Sequence, residues 1–359
     1  MRAAEMPTER GIGMEFGRKN FVVPLLGYPG LQLTKTTVLQ ALTDGNAHFE
    51  TVCALVEKFK PDAIFYIMDL TVEAEALGAK INFSTNQSPS VAGHIISSEQ
   101  DLKNLSIPDP TKAGRMPLFL KVMEKMKKTL RIPKAAYVIG PLTLAGEIIG
   151  VKNLMKILIR SAAFGQKLLE FTTQVSRGYA RVLVEAGADI VCLLEPTAVL
   201  VSPKHFSQFS KPYVEEIAQS LRAVTVLHIC GNTTPLIPEM ITTRVHGVSI
   251  DSVVDLVGVL SQLKNGMAVI GNIDPMKTMV FDPPETIREK VLSLRRRVAG
   301  QEKTFATLCH KNFSKGVPGQ KIDHSNFILS SGCDLPPEVP LENVAAFMAA
   351  GREPLGPVS

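Results

Sequence analysis

Short apolar runs recur along the middle of the chain, separated by stretches with helical periodicity. Several runs are apolar throughout, which is typical of strands covered by helices on both faces of a parallel sheet. Their alternation with helices predicts repeated βα units. The predicted strands span residues 63–68, 135–140, 189–194, 224–229, 247–250, 267–271 and 326–330. With an eighth strand expected between residues 281 and 323, the pattern favours a (β/α)8 TIM barrel.

The rest of the chain is organised around this predicted barrel. Helices are expected at 36–59, 117–130, 154–185 and 212–221, and residues 21–30 are interpreted as an extended segment ending in a turn. We expect one barrel domain over residues 21–350, preceded by a polar segment at 1–20 and followed by a tail at 351–359. Residues 300–325 are polar and irregular, which predicts a long loop.

Polar side chains follow most of the predicted strands. Because parallel barrels carry their chemistry at the carboxyl ends of the strands, these residues are candidates for one site. Any single Asp or Asn there is also an ordinary turn former. The candidates are Asp69, Thr143, Glu195, His228, Cys230, Asp251, Asn272, Asp274 and Cys333.

His228 and Cys230 are the most informative of these residues, together with Cys333 about a hundred positions later. Two residues apart on a strand, His228 and Cys230 face the same side of the sheet. One imidazole and two thiols, with a fourth position left open, are typical of a catalytic zinc site. Spacing alone leaves the alternative that these are packing residues, since free cysteines are often buried.

Composition sets limits on the function. The chain has 359 residues, 45% of them hydrophobic, and a formal net charge of +5, which indicates a globular protein. The run Arg295-Arg296-Arg297 lies in a helical stretch and is interpreted as a solvated helix face, not a nucleic-acid site. Five cysteines do not favour a disulfide framework. The N-terminal segment lacks an apolar core and no run reaches the roughly 18 apolar residues that cross a bilayer, so we expect a cytoplasmic enzyme without a membrane partner.

Several motifs carry a resemblance to a known family. They are residues 68–79 (MDLTVEAEALGA), 140–145 (GPLTLA), 227–235 (LHICGNTTP), 271–275 (GNIDP) and 327–333 (FILSSGC). In type and order they resemble the cobamide:coenzyme M methyltransferases of the uroporphyrinogen decarboxylase superfamily, over residues 20 to 350. The resemblance supports a barrel of the uroporphyrinogen decarboxylase type.

The resemblance also implies a reaction and a set of ligands. In that family a methyl group passes from a methylated corrinoid to the sulfur of a small thiol such as coenzyme M, and zinc favours the thiolate. The zinc ligands would be His228, Cys230 and Cys333. No Asp-X-His-X-X-Gly corrinoid motif occurs in the sequence, so the methylcorrinoid donor is expected on a separate corrinoid protein.

The remaining polar residues receive expected roles of lower specificity. Asp69, Glu195 or Asp251 would orient His228 or accept the thiol proton, and the sequence does not rank them. Asn232 and Asn272, next to glycines, would donate hydrogen bonds to an anionic head group. Two other functions stay open: a metal-free decarboxylase that uses Asp69 on a porphyrinogen, and a noncatalytic barrel that binds zinc or a corrinoid protein.

Overall fold

A parallel β-sheet with helices on its outer face forms the centre of the molecule. The computed structural model describes residues 21–263, 266–312 and 326–355, with only the backbone described at 301–312. The strands in this part of the chain are β1 Ile64–Phe65, β2 Lys80–Asn82, β3 Ser90–Ala92, β4 Lys134–Ile139, β5 Ile190–Leu194, β6 Val224–Ile229, β7 Gly247–Ile250, β8 Ala268–Ile273 and β9 Phe327–Ser331. Seven of them form one sheet in the order β1-β4-β5-β6-β7-β8-β9, whose neighbours all run parallel. Strands β2 and β3 form a separate antiparallel pair.

Helices connect the strands and cover the sheet. They are α1 Leu31–Thr34, α2 Val38–Thr43, α3 Gly45–Phe59, α4 Val72–Ala76, α5 Glu99–Asn104, α6 Met116–Thr129, α7 Pro141–Ile149, α8 Val151–Arg160, α9 Ala162–Ala186, α10 Pro203–Phe209, α11 Lys211–Ser220, α12 Ile237–Met240, α13 Leu256–Leu260, α14 Pro284–Asn312 and α15 Leu341–Arg352. Short 3-10 helices lie at Tyr28–Gly30, Pro196–Leu200 and Thr234–Leu236. No helix within the described ranges has both the length and the apolar character that a membrane crossing requires.

The seven predicted strands are all confirmed, each within its predicted range or shifted by one or two residues. Their residues are almost uniformly buried, as for β5 and β6, where every position is buried. This burial explains why the runs are apolar throughout and do not alternate.

The predicted position of the eighth strand is wrong. The chain between residues 284 and 312 is helix α14, and residues 313–323 lie outside the described part. The eighth place in the sheet is taken by the extended segment at residues 21–23. Val22 pairs in parallel with Leu329 of β9, and its carbonyl accepts a hydrogen bond from the Asp62 amide just before β1. Pro24 cannot donate to a ladder, so this pairing is too short to be recognised from the sequence.

The lower half of the barrel is filled by side chains. An interior cavity of about 30 Å³ is lined by inward-facing residues of successive strands, among them Val23, Phe65, Cys192, Val226 and Ile270. A space of this size holds no more than a water molecule or two. Chemistry on a larger molecule is therefore confined to the mouth at the carboxyl ends of the strands.

The long loop expected at 300–325 is wrong in its first part. Helix α14 continues to Asn312, because residues 301–308 are mostly good helix formers without proline. The remainder of the expected loop, the polar segment at 1–20 and the end of the tail at 356–359 lie outside the described residues.

Candidate metal centre at the barrel mouth

Strands β6 and β9 bring the three predicted metal ligands together. His228 lies at an inward position of β6, Cys230 follows two residues later, and Cys333 follows the end of β9. His228 Nε2 is 2.9 Å from Cys230 Sγ, and Cys230 Sγ is 3.1 Å from Cys333 Sγ. Cys333 Sγ is 3.7 Å from His228 Nε2. Within the described residues, these three form the group whose ligand atoms could share one metal ion.

Two glycines allow this convergence. Gly231 has a φ of 85°, a left-handed conformation that turns the chain directly after Cys230. Gly332 lies so close to the loop after β7 that an added Cβ atom would be 2.5 Å from the Ser252 amide nitrogen. Any larger residue at 332 would push Cys333 away from the other two ligands.

The imidazole of His228 is oriented by Ser249. His228 is 1% exposed, and its Nδ1 is 2.9 Å from the Ser249 hydroxyl on the neighbouring strand β7. With Nδ1 engaged in this way, Nε2 is the ring nitrogen that faces the two sulfur atoms. Sequence reasoning missed Ser249 and expected a carboxylate. The available signal was a hydroxyl at an inward position of an otherwise apolar strand.

The pKa values of the two thiols are shifted in opposite directions. Hydrogen bonding with the Cys230 thiol and the interaction with His228 together lower the pKa of Cys333 to about 4, although burial acts in the opposite direction. The same hydrogen bond and burial raise the pKa of Cys230 far above its ordinary value. Of the two sulfurs, Cys333 is therefore the one whose thiolate form the site favours, and the thiolate is the form of cysteine that binds metals.

The donor set fits zinc. Zn–S bonds near 2.3 Å and Zn–N bonds near 2.0–2.1 Å place tetrahedral ligand atoms about 3.5–3.8 Å apart. The three observed separations, 2.9, 3.1 and 3.7 Å, reach that range with shifts below about 1 Å. Cys230 and Cys333 are only partly buried, so the cluster is open to the mouth on one side. Three donors with an open side suit a catalytic metal more than a structural one.

Asp251 is the predicted carboxylate that lies next to a ligand residue. Its Oδ2 accepts a hydrogen bond of 2.8 Å from the Gly231 amide, and its Oδ1 accepts one of 3.0 Å from the Ser252 hydroxyl. Asp251 thus ties the turn after Cys230 to the loop that abuts Gly332. It holds the backbone next to Cys230, and its charge also raises the pKa of Cys230.

The carboxylates of Glu195 and Asp69 contact residues other than the three predicted metal ligands. Glu195 is fully buried, and its Oε1 accepts a hydrogen bond of 2.9 Å from Leu142 at the start of α7. Burial raises the pKa of Glu195 to about 8. Asp69 forms an ion pair of 2.5 Å with Arg115, which also binds Glu75 at 2.7 Å. Ser249, and neither of these carboxylates, is the group that contacts His228 Nδ1. That Asp69 or Glu195 accepts the thiol proton stays a prediction.

The two asparagines hold backbone in place. Asn272 donates from its side-chain nitrogen to the carbonyls of Asp251 and Val254, at 3.0 and 2.7 Å. Asn232 is exposed, and its side-chain oxygen accepts a hydrogen bond of 3.2 Å from the Thr234 amide. Asn272 thus supports the loop that carries Asp251. The expected contact of both residues with an anionic head group stays a prediction.

Fold and site together define a parallel barrel with a candidate metal centre at its mouth. The chain matches the family model Uroporphyrinogen decarboxylase (URO-D) over residues 30–354. A methylcobamide:CoM methyltransferase, MtaA of Methanosarcina barkeri, is 30% identical over 292 residues, which are 79% of this chain and 77% of the relative. A second, MtbA of Methanosarcina acetivorans, is 28% identical over 285 residues, 74% of this chain and 83% of the relative.

A solved structure shows the same relationship. It is described as a methyltransferase from Methanosarcina mazei, with a TM-score of 0.80 and 27% identity, and the match covers 93% of this chain and 94% of that chain. The chain therefore belongs to the uroporphyrinogen decarboxylase superfamily, among its cobamide:coenzyme M methyltransferases. This membership confirms the resemblance carried by the sequence motifs and the expected fold class.

Proposed function

We propose that the protein is a zinc-dependent methyltransferase that moves a methyl group from a methylated corrinoid to a small thiol such as coenzyme M. One observation carries the proposal: His228 and the two thiols of Cys230 and Cys333 converge at the open mouth of the barrel. The relatives named methylcobamide:CoM methyltransferase support the choice of donor and acceptor. The corrinoid would arrive on a separate protein.

The transfer is a displacement at carbon. The acceptor sulfur forms the new S–C bond while the Co–C bond breaks. The electron pair of the broken Co–C bond stays on cobalt, which leaves as Co(I). The thiol proton passes to solvent through the open side of the site. Bound zinc would supply a positive charge that favours the thiolate form of the acceptor near neutral pH.

The protein residues supply position and charge. His228, held by Ser249, and the two cysteines would hold the metal, and two anionic sulfur ligands would keep the acceptor sulfur electron-rich. Asp251 would hold the turn that follows Cys230, through the hydrogen bond that it accepts from the Gly231 amide. We assign Asp69 and Glu195 to the support of the site, and Asn232 to the rim where the acceptor enters.

Porphyrinogen decarboxylation is less well supported by the geometry. That reaction would use Asp69 on the substrate, yet Asp69 is 8% exposed and engaged by Arg115 and Thr71. A substrate would first have to displace an ion pair that is almost completely buried. Removing one partner of such a pair is costly.

Metal content and thiol methylation test the proposal together. Purified protein should contain about one zinc per chain, and should consume methylcob(III)alamin with one member of a thiol panel under anoxic conditions. Cys333→Ala should lose both the zinc and the activity. Cys53→Ala is the matched control, since Cys53 lies on helix α3 away from the site. Zinc-free wild-type protein with full activity, or four protein donors around the metal without turnover, would overturn the proposal.

A further inference from the structure

The exposed apolar side chains share a place in the order of strands and helices. In the described part of the chain, each large exposed apolar residue lies in a connection that leads from the carboxyl end of a strand to the helix before the next strand. The metal ligands also lie at the carboxyl ends of strands. The exposed apolar residues are Phe83, Ile107, Val151, Ile159, Leu200, Val253, Met276 and Phe281. Single exposed apolar residues are ordinary on a protein surface, so the ones that bear on binding are those that border the metal ligands.

Two of these residues flank the sulfur ligands. Leu200 is 60% exposed and follows Val199, whose Cγ2 would lie 3.3 Å from a Cβ atom added to Gly231, next to Cys230. Val253 is 63% exposed. It follows Ser252, whose amide nitrogen abuts Gly332, next to Cys333.

We propose that Leu200 and Val253 form two apolar lips that contact the corrin ring of the methyl donor. This inference rests on the proposed function. The sulfur must approach the methyl carbon in line with the Co–C bond, so the macrocycle has to lie face-on over the mouth. Its rim, which carries methyl groups and amide side chains, then extends beyond the cobalt over the residues that border the ligands. Apolar side chains that water otherwise surrounds gain free energy when the ring covers them.

A corrin ring accounts for the exposure of Leu200 and Val253 better than a second copy of the chain does. A copy seated on Leu200 and Val253 would cover the partly exposed sulfur atoms and block the donor. A corrin ring covers the same residues only while the methyl group is being transferred. The lips should therefore affect binding of the free corrinoid as well as of a protein that carries it.

Kinetics with free methylcobalamin test the lips. Leu200→Ser and Val253→Ser should each raise the KM for methylcobalamin about threefold to tenfold, and the double variant by the product of the two. The kcat and the zinc content should stay within about twofold of wild type, because the metal ligands are untouched. Ile159→Ser is the matched control, since Ile159 is 71% exposed but lies on α8, in the connection between β4 and β5.

The outcomes distinguish a failure of the inferred ring contact from a failure of the proposed methyl transfer. If wild-type protein transfers the methyl group and the double variant has the KM of Ile159→Ser, the lips do not contact the ring. A KM change confined to a protein-borne corrinoid, or a change of oligomeric state by light scattering with unchanged KM, would also overturn the inference. Wild-type protein without any turnover would instead refute the proposed function.

Discussion

At the scale of single residues, the hydroxyl of Ser249 decides which nitrogen of His228 faces the thiols. Groups that bind the second nitrogen of a metal-ligating histidine fix its orientation and commonly change metal affinity by 10–100-fold when removed. Ser249 is 1% exposed and belongs to β7, whose register places it opposite His228. A neutral hydroxyl makes the imidazole less basic than a carboxylate would, so here the negative charge at the site comes from the sulfur atoms.

Ser249→Ala should weaken zinc binding by about tenfold or more without unfolding the barrel. The reason is that the His228 ring loses its partner and can rotate. Competition with a chelator measures the dissociation constant directly. Ser330→Ala is the control, because Ser330 is equally buried on β9 but its hydroxyl has no hydrogen-bond partner within the described residues. Equal zinc affinities in the two variants would contradict the role of Ser249.

At the residue scale, the sequence predicted that His228, Cys230 and Cys333 lie together, and they do; their role as metal ligands stays a prediction. The His-X-Cys pair on one strand face and the cysteine after the last strand were recognisable from their spacing and flanking runs. Asp69 and Glu195 were recognised as strand-end residues, but their partners were not. Arg115 is 46 positions from Asp69, and Leu142 is 53 positions from Glu195, so only the folded connections bring each pair together.

At the scale of elements, the buried imidazole of His48 joins helix α3 to the end of strand β1. Its Nδ1 lies 3.0 Å from the Ala41 carbonyl, and its Nε2 accepts a hydrogen bond of 2.9 Å from the Ile67 amide. Both contacts require the neutral ring, with the proton on Nδ1. Burial lowers the pKa of His48 from 6.5 to about 4.

This contact predicts a loss of stability in weak acid. Because the folded-state pKa is depressed, the stabilisation is complete above pH 6.5 and is lost as the pH falls from 6.5 towards 4. The loss at the low end is about 3 kcal/mol in the free energy of unfolding. Urea denaturation from pH 7 to 4.5 measures it, and His48→Gln should show a smaller pH slope than wild type. His94→Gln, at an exposed position, should keep the slope; equal slopes in all three proteins would rule out His48 as the cause.

The element pattern was predictable wherever burial of both faces made a strand mostly apolar. Strands β4 to β9 have such runs, and the sequence identified all of them. The closing segment at residues 21–23 did not stand out, because Pro24 limits it to a few bonds with its neighbours. The end of helix α14 was instead predicted as part of a loop, because the polar second half of this helix has helical propensity but little apolar periodicity.

At the scale of the whole molecule, the metal centre joins two distant parts of the chain. Cys230 and Cys333 are 103 residues apart, and β6 and β9 are separated in the sheet by β7 and β8. A ligand set completed only by folding binds metal far more weakly when the chain is unfolded. Zinc should therefore stabilise the barrel as a unit and not only its mouth.

Thermal unfolding should reveal this coupling. At a free zinc concentration a thousandfold above the dissociation constant, linkage contributes about 4 kcal/mol to the free energy of unfolding, so the Tm should rise by several degrees over the chelated protein. Cys333→Ala should have a zinc-independent Tm, whereas Cys53→Ala should keep the full shift. A zinc-dependent Tm that survives in Cys333→Ala would mean that the metal binds elsewhere. Since this measurement needs neither corrinoid nor thiol, it tests the three-ligand centre independently of the proposed methyl transfer.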